Sequence, residues 1–292
     1  DDEIVETIDC DVVVCGGGHA GIQAALAAAE GGASVVVIER SPEDSRKVKG
    51  EDIGHFNSQF LIDKGFGPYD EGEIVQEFVK RAGGRVNVEA IRKYVANSGE
   101  MFDHAASLVN WPDDRITKVS VDDSDLSPLD DSQICIQQPA LALEGEVEYP
   151  IERSGYKTWP CVVQFMGTIQ HEPVDGTAAL SRLDEFQQFS ILEGQDLGAQ
   201  WRFGETATVL VQDDSGAVTG VIAEGSDGYV KYNASMGVIL CTGDFGANTD
   251  MTWQLLTEYR EWNERAGLDS SSLMGQTDAT APASRWAAGQ AA

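Results

Sequence analysis

The sequence predicts an α/β fold: a parallel sheet joined to a three-stranded antiparallel meander. Three observations carry that expectation. Residues 10–39 run from an apolar stretch through a glycine loop and an Ala/Leu-rich segment to a second apolar stretch. Residues 204–232 hold three strand-like runs separated by turn residues. Val238-Ile239-Leu240-Cys241 is one more strand of buried type and stops at Thr242-Gly243.

The first unit follows from its residues. Asp11-Val12-Val13-Val14-Cys15 is short and β-branched, as a strand buried on both faces should be. Ile22 to Ala29 is rich in Ala and Leu, which favour helix, and Gly31-Gly32 ends it. Ala33 to Ile38 is a second buried strand, closing at Glu39. Between strand and helix lies Gly16-Gly17-Gly18-His19-Ala20-Gly21, in which Gly16, Gly18 and Gly21 fit GxGxxG. One glycine makes the tight turn, the second lets a pyrophosphate approach the backbone, and the third lets the helix pack close to the strand. The N–H groups at the helix start and the helix dipole then attract the phosphates. Glu39 stands about 20 residues on, where a ribose hydroxyl needs an acceptor. An acid there argues against a 2′-phosphate. The unit is therefore Rossmann-like and reads as a dinucleotide site. The competing reading is a glycine-rich turn without a ligand. The pattern alone does not separate FAD from NAD.

The remaining elements are read in order. Residues 41–70 are polar and glycine-spotted, an extended loop carrying Asp52-Ile53-Gly54-His55-Phe56-Asn57. Over 71–110, Ile74, Phe78 and Val79, then Val88, Ile91 and Val95, fall at helical spacing. Asn87 is the expected N-cap, with Ala90 where a capping-box Glu would stand. Residues 112–150 are acidic and carry Pro112, Pro128, Pro139 and Pro150, an exposed excursion with short strands. Val162 to Met166 reads as a strand and 177–198 as a helix. Ala207–Val211, Val218–Ala223 and Tyr229–Tyr232 form the meander, turning at Asp213-Asp214-Ser215-Gly216 and Ser226-Asp227-Gly228. Beyond 250 come helix signals, and the sequence stops at Gly289-Gln290-Ala291-Ala292 within what reads as a helix. Two regions are expected: 1–248, and 249–292 as the incomplete start of a second.

Composition excludes some partners. Of 292 residues, 20 are basic and 49 acidic, a net charge of −29. Such a surface repels nucleic-acid backbones and anionic lipid. It reads as a solvated acidic surface, with salt adaptation and cation capture as lesser alternatives. No run reaches the ~20 apolar residues of a membrane span. The five cysteines, Cys10, Cys15, Cys135, Cys161 and Cys241, include no CxxC and read as free thiols. The Trp residues form no stripe and read mostly as core, with Trp253 and Trp262 possible lining of the second region. Neither His104 nor His171 has metal-type spacing. Asp1-Asp2-Glu3 lacks Met and reads as a cut edge. The compartment is left open between cytoplasmic and, if an export signal was removed, extracytoplasmic.

The stretch Gly237-Val238-Ile239-Leu240-Cys241-Thr242-Gly243-Asp244-Phe245-Gly246-Ala247-Asn248 resembles the ATGGFGxN segment of two-dinucleotide-binding flavoproteins. With the first βαβ unit and the meander, the chain resembles the fumarate reductase/succinate dehydrogenase flavoprotein family and its ketosteroid-dehydrogenase and urocanate-reductase-like relatives. Glu51 to Leu61 lies where that family has its flavin-facing GGxNA loop. The resemblance implies FAD and the start of a substrate cap after 248. It implies oxidation or reduction of a carbon–carbon bond next to an activating group, with hydride passing through flavin N5. It implies a small-molecule substrate and leaves the electron donor open. Gly16, Gly18, His19, Ala20 and Gly21 would line the pyrophosphate. Glu39, with Arg40 beside it, would meet the adenosine ribose, and Ala207 would offer backbone to the adenine. Thr242 and Gly243 would pass close to the cofactor, and Gly54, His55 and Asn57 would face the flavin.

Some positions depart from the family pattern. His55 and Asp244 replace glycines, the late TGDG-like turn is reduced to Gln276-Thr277-Asp278-Ala279, and Pro282 follows. The family's proton-donating Arg has no counterpart, so no catalytic residue is named. His55 reads either as a group that tunes the flavin or moves a proton, or as a polar loop residue. Two further readings compete with the flavoenzyme. One is an NAD-linked dehydrogenase, against which the meander and Thr242-Gly243 count. The other is a truncated, non-catalytic chain that binds FAD weakly.

Overall fold

The computed structural model describes residues 3–46, 48, 52–109, 116–120, 134–138, 148–165, 182–243, 245 and 248–270. It begins with β1 (Ile4–Cys15), α1 (His19–Glu30), β2 (Val35–Glu39) and a single 3₁₀ turn at Glu43–Ser45. Next come β3 (Asp52–Gly54), α2 (Gln59–Asp63), α3 (Glu71–Arg81), α4 (Val88–Ser107), β4 (Ile116–Ser120) and β5 (Ile134–Gln138). The hairpin β6 (Ile151–Arg153) and β7 (Tyr156–Thr158) precedes β8 (Val162–Phe165) and α5 (Arg182–Asp196). The last elements are β9 (Gln200–Phe203), β10 (Thr206–Gln212), β11 (Val218–Gly225), β12 (Gly228–Leu240), α6 (Thr249–Leu255) and α7 (Thr257–Arg265).

The chain divides into two compact units, one made of 1–48 and 191–292, the other of 49–190. The boundary expected after 248 falls inside the first.

The first unit is built on a six-stranded sheet ordered β10-β11-β12-β1-β2-β9. β1 pairs in parallel with both β12 and β2, and β2 with β9, while β10, β11 and β12 are antiparallel. The valine runs behave as expected: Val13, Val14, Cys15 and Val37 are fully buried. One face packs Val12, Val14, Val35 and Val37 against Ala25 and Ala29 of α1. The other packs Val13, Cys15, Val36 and Ile38 with Val221, Ala223 and Tyr232 of the meander.

Two sequence expectations are corrected here. β1 starts at Ile4, seven residues before the apolar run, because its first half is held by ladder bonds with an exposed surface rather than by burial. The third meander strand and the strand ending at Cys241 are one continuous element, β12. Its halves are joined at a bulge: Cys10 faces Ala234 and Val12 faces Gly237, which adopts φ +148°. Opposite the bulge, Asp11 accepts from Ser235 Oγ at 2.6 Å and from Ser34 N and Oγ at 2.9 and 2.8 Å. Those donors, Ser235 first, hold its carboxyl down to about 2.

The second unit has a four-stranded sheet, β3-β8-β5-β4, and the β6–β7 hairpin. The 41–70 loop is thus not wholly irregular, since β3 and α2 lie within it. Elements of three and five residues are too short for a periodicity to betray them. Over 71–110 the structure has two helices, α3 and α4, and Asn87 caps the second, accepting from Ala90 N at 3.2 Å. Phe56, Ile74, Val75, Val95 and Trp159 form a core cluster. The hairpin and β9 were not anticipated. The β8 and α5 expectations hold over the residues described. Trp159 is core, whereas Trp262 is largely exposed. Trp111, His171, Asp244, Gln276–Ala279, Pro282 and the end at 289–292 lie outside the described residues.

Candidate functional site

The parallel strands β1, β2, β9 and β12 end together at one edge of the first unit's sheet. Crevices outside the carboxyl ends of such strands are where α/β sheets take ligands. The glycine loop leaves β1 there. Gly16 N donates to Ile38 O at 2.8 Å, and Cys241 N donates to Cys15 O at 2.8 Å. A Cβ on Gly16, whose φ is +108°, would lie 2.3 Å from Cys241 O. The loop and the Cys241–Thr242 turn therefore abut backbone to backbone, and only glycine fits. A Cβ on Gly21 would fall 1.7 Å from Gly16 O, so the third glycine lets α1 seat against the loop.

Gly18 differs. A Cβ there would meet nothing within 4 Å. Its φ of −83° is open to any residue, so the fold itself does not require glycine. As N-cap of α1 it has no side chain to satisfy the helix start, and the first turn holds no acid. A helix N-terminus whose first turn carries no acid suits an anion.

Glu39 completes the geometry. Its Oε2 accepts from Gly17 N at 2.7 Å and its Oε1 from Ser41 N at 2.8 Å. Each oxygen keeps lone-pair capacity for a further donor, as a ribose diol would require. Arg40 beside it is exposed, as is Ala20, while His19 is half-buried. Glu205 N donates to Glu39 O at 3.1 Å, which brings Ala207, two residues on, to the same region of the unit. Of the expected residues, Gly16, Gly18, His19, Ala20, Gly21, Glu39, Arg40, Ala207, Thr242 and Gly243 thus belong to the first unit.

Several neighbours were not read from the sequence. Arg46, only 6% exposed, donates from Nη1 to Gly17 O at 3.5 Å. Trp201 stacks on Phe203 with centroids 5.5 Å apart, and its ring borders Gly17. Glu205, also buried, accepts from Arg202 Nε at 2.8 Å and from the Tyr232 hydroxyl. Burial, then the Glu205 bond, hold that phenol above its usual pKa, so it remains a donor. Gly198 and Gly204, both at positive φ, bound β9 and are the signal in the sequence that could have found it.

Gly54, His55 and Asn57 belong to the second unit. Asn57, at φ +56°, uses its amide on Tyr69, donating to Tyr69 O at 2.9 Å and accepting from Tyr69 N at 2.8 Å. Gly54 O accepts from Tyr94 OH at 2.9 Å. His55 is fully buried and stacked on Phe102, centroids 3.8 Å apart and planes within 7°. Its Nδ1 lies 3.2 Å from Ile53 O, which fixes the proton on Nδ1. Nε2 is then an acceptor, with no partner among the described residues. Burial, against the Ile53 contact, pushes the imidazole down to about 4, so it is neutral at pH 7. Burial also pushes Cys15 up to about 12 and Cys161 up to about 11, so these thiols stay protonated. Cys10, Cys15, Cys161 and Cys241 are free. Among the described residues no cluster of His, Cys, Asp or Glu could hold a metal ion, and no helix is long and apolar enough to cross a membrane.

A family model described as FAD binding domain matches residues 11–290. The Escherichia coli gamma-glutamylputrescine oxidoreductase is 34% identical over an alignment of 94 residues that covers 27% of this chain and 22% of that protein. Among solved structures, a 3-ketosteroid-Δ4-(5α)-dehydrogenase from Rhodococcus jostii RHA1 aligns with TM-score 0.59 and 21% identity, over 85% of this chain and 48% of that one. A flavocytochrome c3 fumarate reductase aligns with TM-score 0.55 and 17% identity, over 89% of this chain and 37% of that one. At such identities these structures speak for the fold. The chain spans less than half the length of these relatives. With a family match over residues 11–290, the chain belongs to the FAD binding domain family.

Proposed function

We propose that the chain is the FAD-bearing part of a flavin-dependent oxidoreductase of the fumarate-reductase-like class. It would oxidise or reduce a carbon–carbon bond next to an activating group on a small-molecule substrate. When bound, the flavin supplies the hydride chemistry through N5. The chain's own residues bind and orient it. Gly16, Gly18, His19, Ala20 and Gly21 take the pyrophosphate. Glu39 and Arg40 take the adenosine ribose, and Ala207 the adenine by its backbone. Thr242 and Gly243 flank the cofactor. His55, neutral with its proton on Nδ1, is suited to accept a hydrogen bond rather than to donate a catalytic proton. Residues 249–292 begin the substrate cap in this reading.

The observation that carries the proposal is the contrast within the loop. Gly16 and Gly21 are glycine because backbone crowds them, while Gly18 has open space where a pyrophosphate would pass. The test is the visible spectrum of the purified chain and of Gly18→Ala. Flavin bands near one per chain are expected for the wild type. The variant should fold normally, and its FAD affinity should fall by about 10–100-fold through lost charge-assisted N–H bonds. A colourless wild-type chain that also fails to take up added FAD would sink the proposal.

A further inference from the structure

We propose that Arg46 is a cofactor-binding residue whose guanidinium supplies the positive charge for the pyrophosphate at the Gly16–Gly21 loop. The inference rests on the FAD reading above and adds a residue that the glycine motif does not contain.

The chain delivers Arg46 to the loop by a short device. After Glu39 it turns through the 3₁₀ segment Glu43–Ser45, closed by Ser45 N and Arg46 N donating to Pro42 O at 3.1 and 2.9 Å. The side chain then runs into the protein, and Nη1 reaches Gly17 O. Gly17 is thereby held by both its backbone groups: Glu39 accepts from its N–H and Arg46 donates to its C=O. The next residue is Gly18, the open position of the loop. A guanidinium presents its N–H groups as a planar fork, suited to a carbonyl and a phosphate oxygen side by side.

Electrostatics call for such a group. The chain carries −29, and the Glu39 carboxylate stands at the loop itself, on Gly17 N. A dianionic pyrophosphate must bind against that field. A helix N-terminus offers only about half a positive charge. Exposed Arg40 is screened by water and salt. Arg46 is buried beside the loop, where screening is weak and the attraction is larger.

The test compares ligands with and without phosphate on the full chain. Affinities for FAD, ADP and adenosine are measured by calorimetry for the wild type, Arg46→Gln and Arg46→Lys. Arg46→Gln should weaken FAD and ADP by about tenfold or more while adenosine changes by less than about twofold. Arg46→Lys, keeping the charge without the fork, should recover part of the loss. Equal losses for ADP and adenosine would mean that Arg46 only braces the loop, and an unchanged ADP affinity would remove it altogether; either overturns the proposal. If Arg46→Gln does not fold, the wild type still decides: its Arg46 Nε–H resonance should move with ADP and stay with adenosine. A resonance that moves with both or neither refutes the idea. Failure of the wild type to bind FAD or ADP at all would strike the FAD reading instead.

Discussion

His55 makes stability depend on pH in a calculable way. In the unfolded chain an imidazole titrates near its ordinary 6.5, whereas burial brings it to about 4 in the fold. Between those values the unfolded chain binds the proton and the native chain does not. The contribution is therefore fully present above 6.5 and is lost as pH falls through 6.5 towards 4. Its full size is about 3 kcal/mol, of which about 2 kcal/mol is gone by pH 5. The many carboxylates also respond to acid, so the assay is a difference. Urea unfolding of the wild type and His55→Gln is followed at pH 7, 6 and 5 at fixed ionic strength. The substitution has its own cost, since the stack on Phe102 is disturbed, but that cost does not titrate. The stability gap between the two proteins should narrow by about 2 kcal/mol from pH 7 to pH 5. A gap constant to within about 0.5 kcal/mol would refute the assignment of a neutral, buried imidazole.

Gly21→Ala should destabilise the fold by roughly 1–3 kcal/mol or more, because its Cβ would meet the Gly16 carbonyl; thermal unfolding distinguishes it from the well-tolerated Gly18→Ala. Glu39→Gln leaves one of two backbone N–H groups facing an amide N–H. A loss of about 1–3 kcal/mol together with weaker FAD binding is expected, read by denaturant titration and flavin fluorescence. Tyr232→Phe removes a donor from buried Glu205. It should cost about 1–3 kcal/mol, and an unchanged melting temperature would show that the Arg202 pairing alone suffices.

The parts of the fold legible in the sequence are those with a local physical signature. Val12 to Cys15 and Val35 to Ile38 announce themselves as doubly buried strands, and Asn87 as a cap. β12 was read as two pieces because Asn233 to Gly237 looks like a break. Its continuity depends on β1, which is distant in sequence, and on the bulge opposite Asp11. Hairpin β6–β7 and strand β9 have strands of only three or four residues, too short for a pattern to expose them. The cofactor loop was legible because each glycine and Glu39 has a fixed chemical duty at a fixed spacing. Arg46 was not, since a lone arginine in a polar loop looks like any solvated side chain until the 3₁₀ turn directs it inward. Likewise no spacing rule indicates that the Asn57 amide spends itself on the Tyr69 backbone.

β1 lies at the centre of the sheet between β2 and β12. Its β2 side is covered soon after synthesis, but Asp9 meets Asn233 across 224 positions. At about 5–20 residues per second a ribosome needs roughly 10–45 s to supply that partner. Through that interval one edge of the sheet's central strand stands open, a template for pairing with another nascent chain. The carbonyl of Cys241, against which Gly16 rests, emerges later still. The nucleotide loop is thus translated well before its final support, so crowded or slowed translation should lower the yield of protein able to take up FAD.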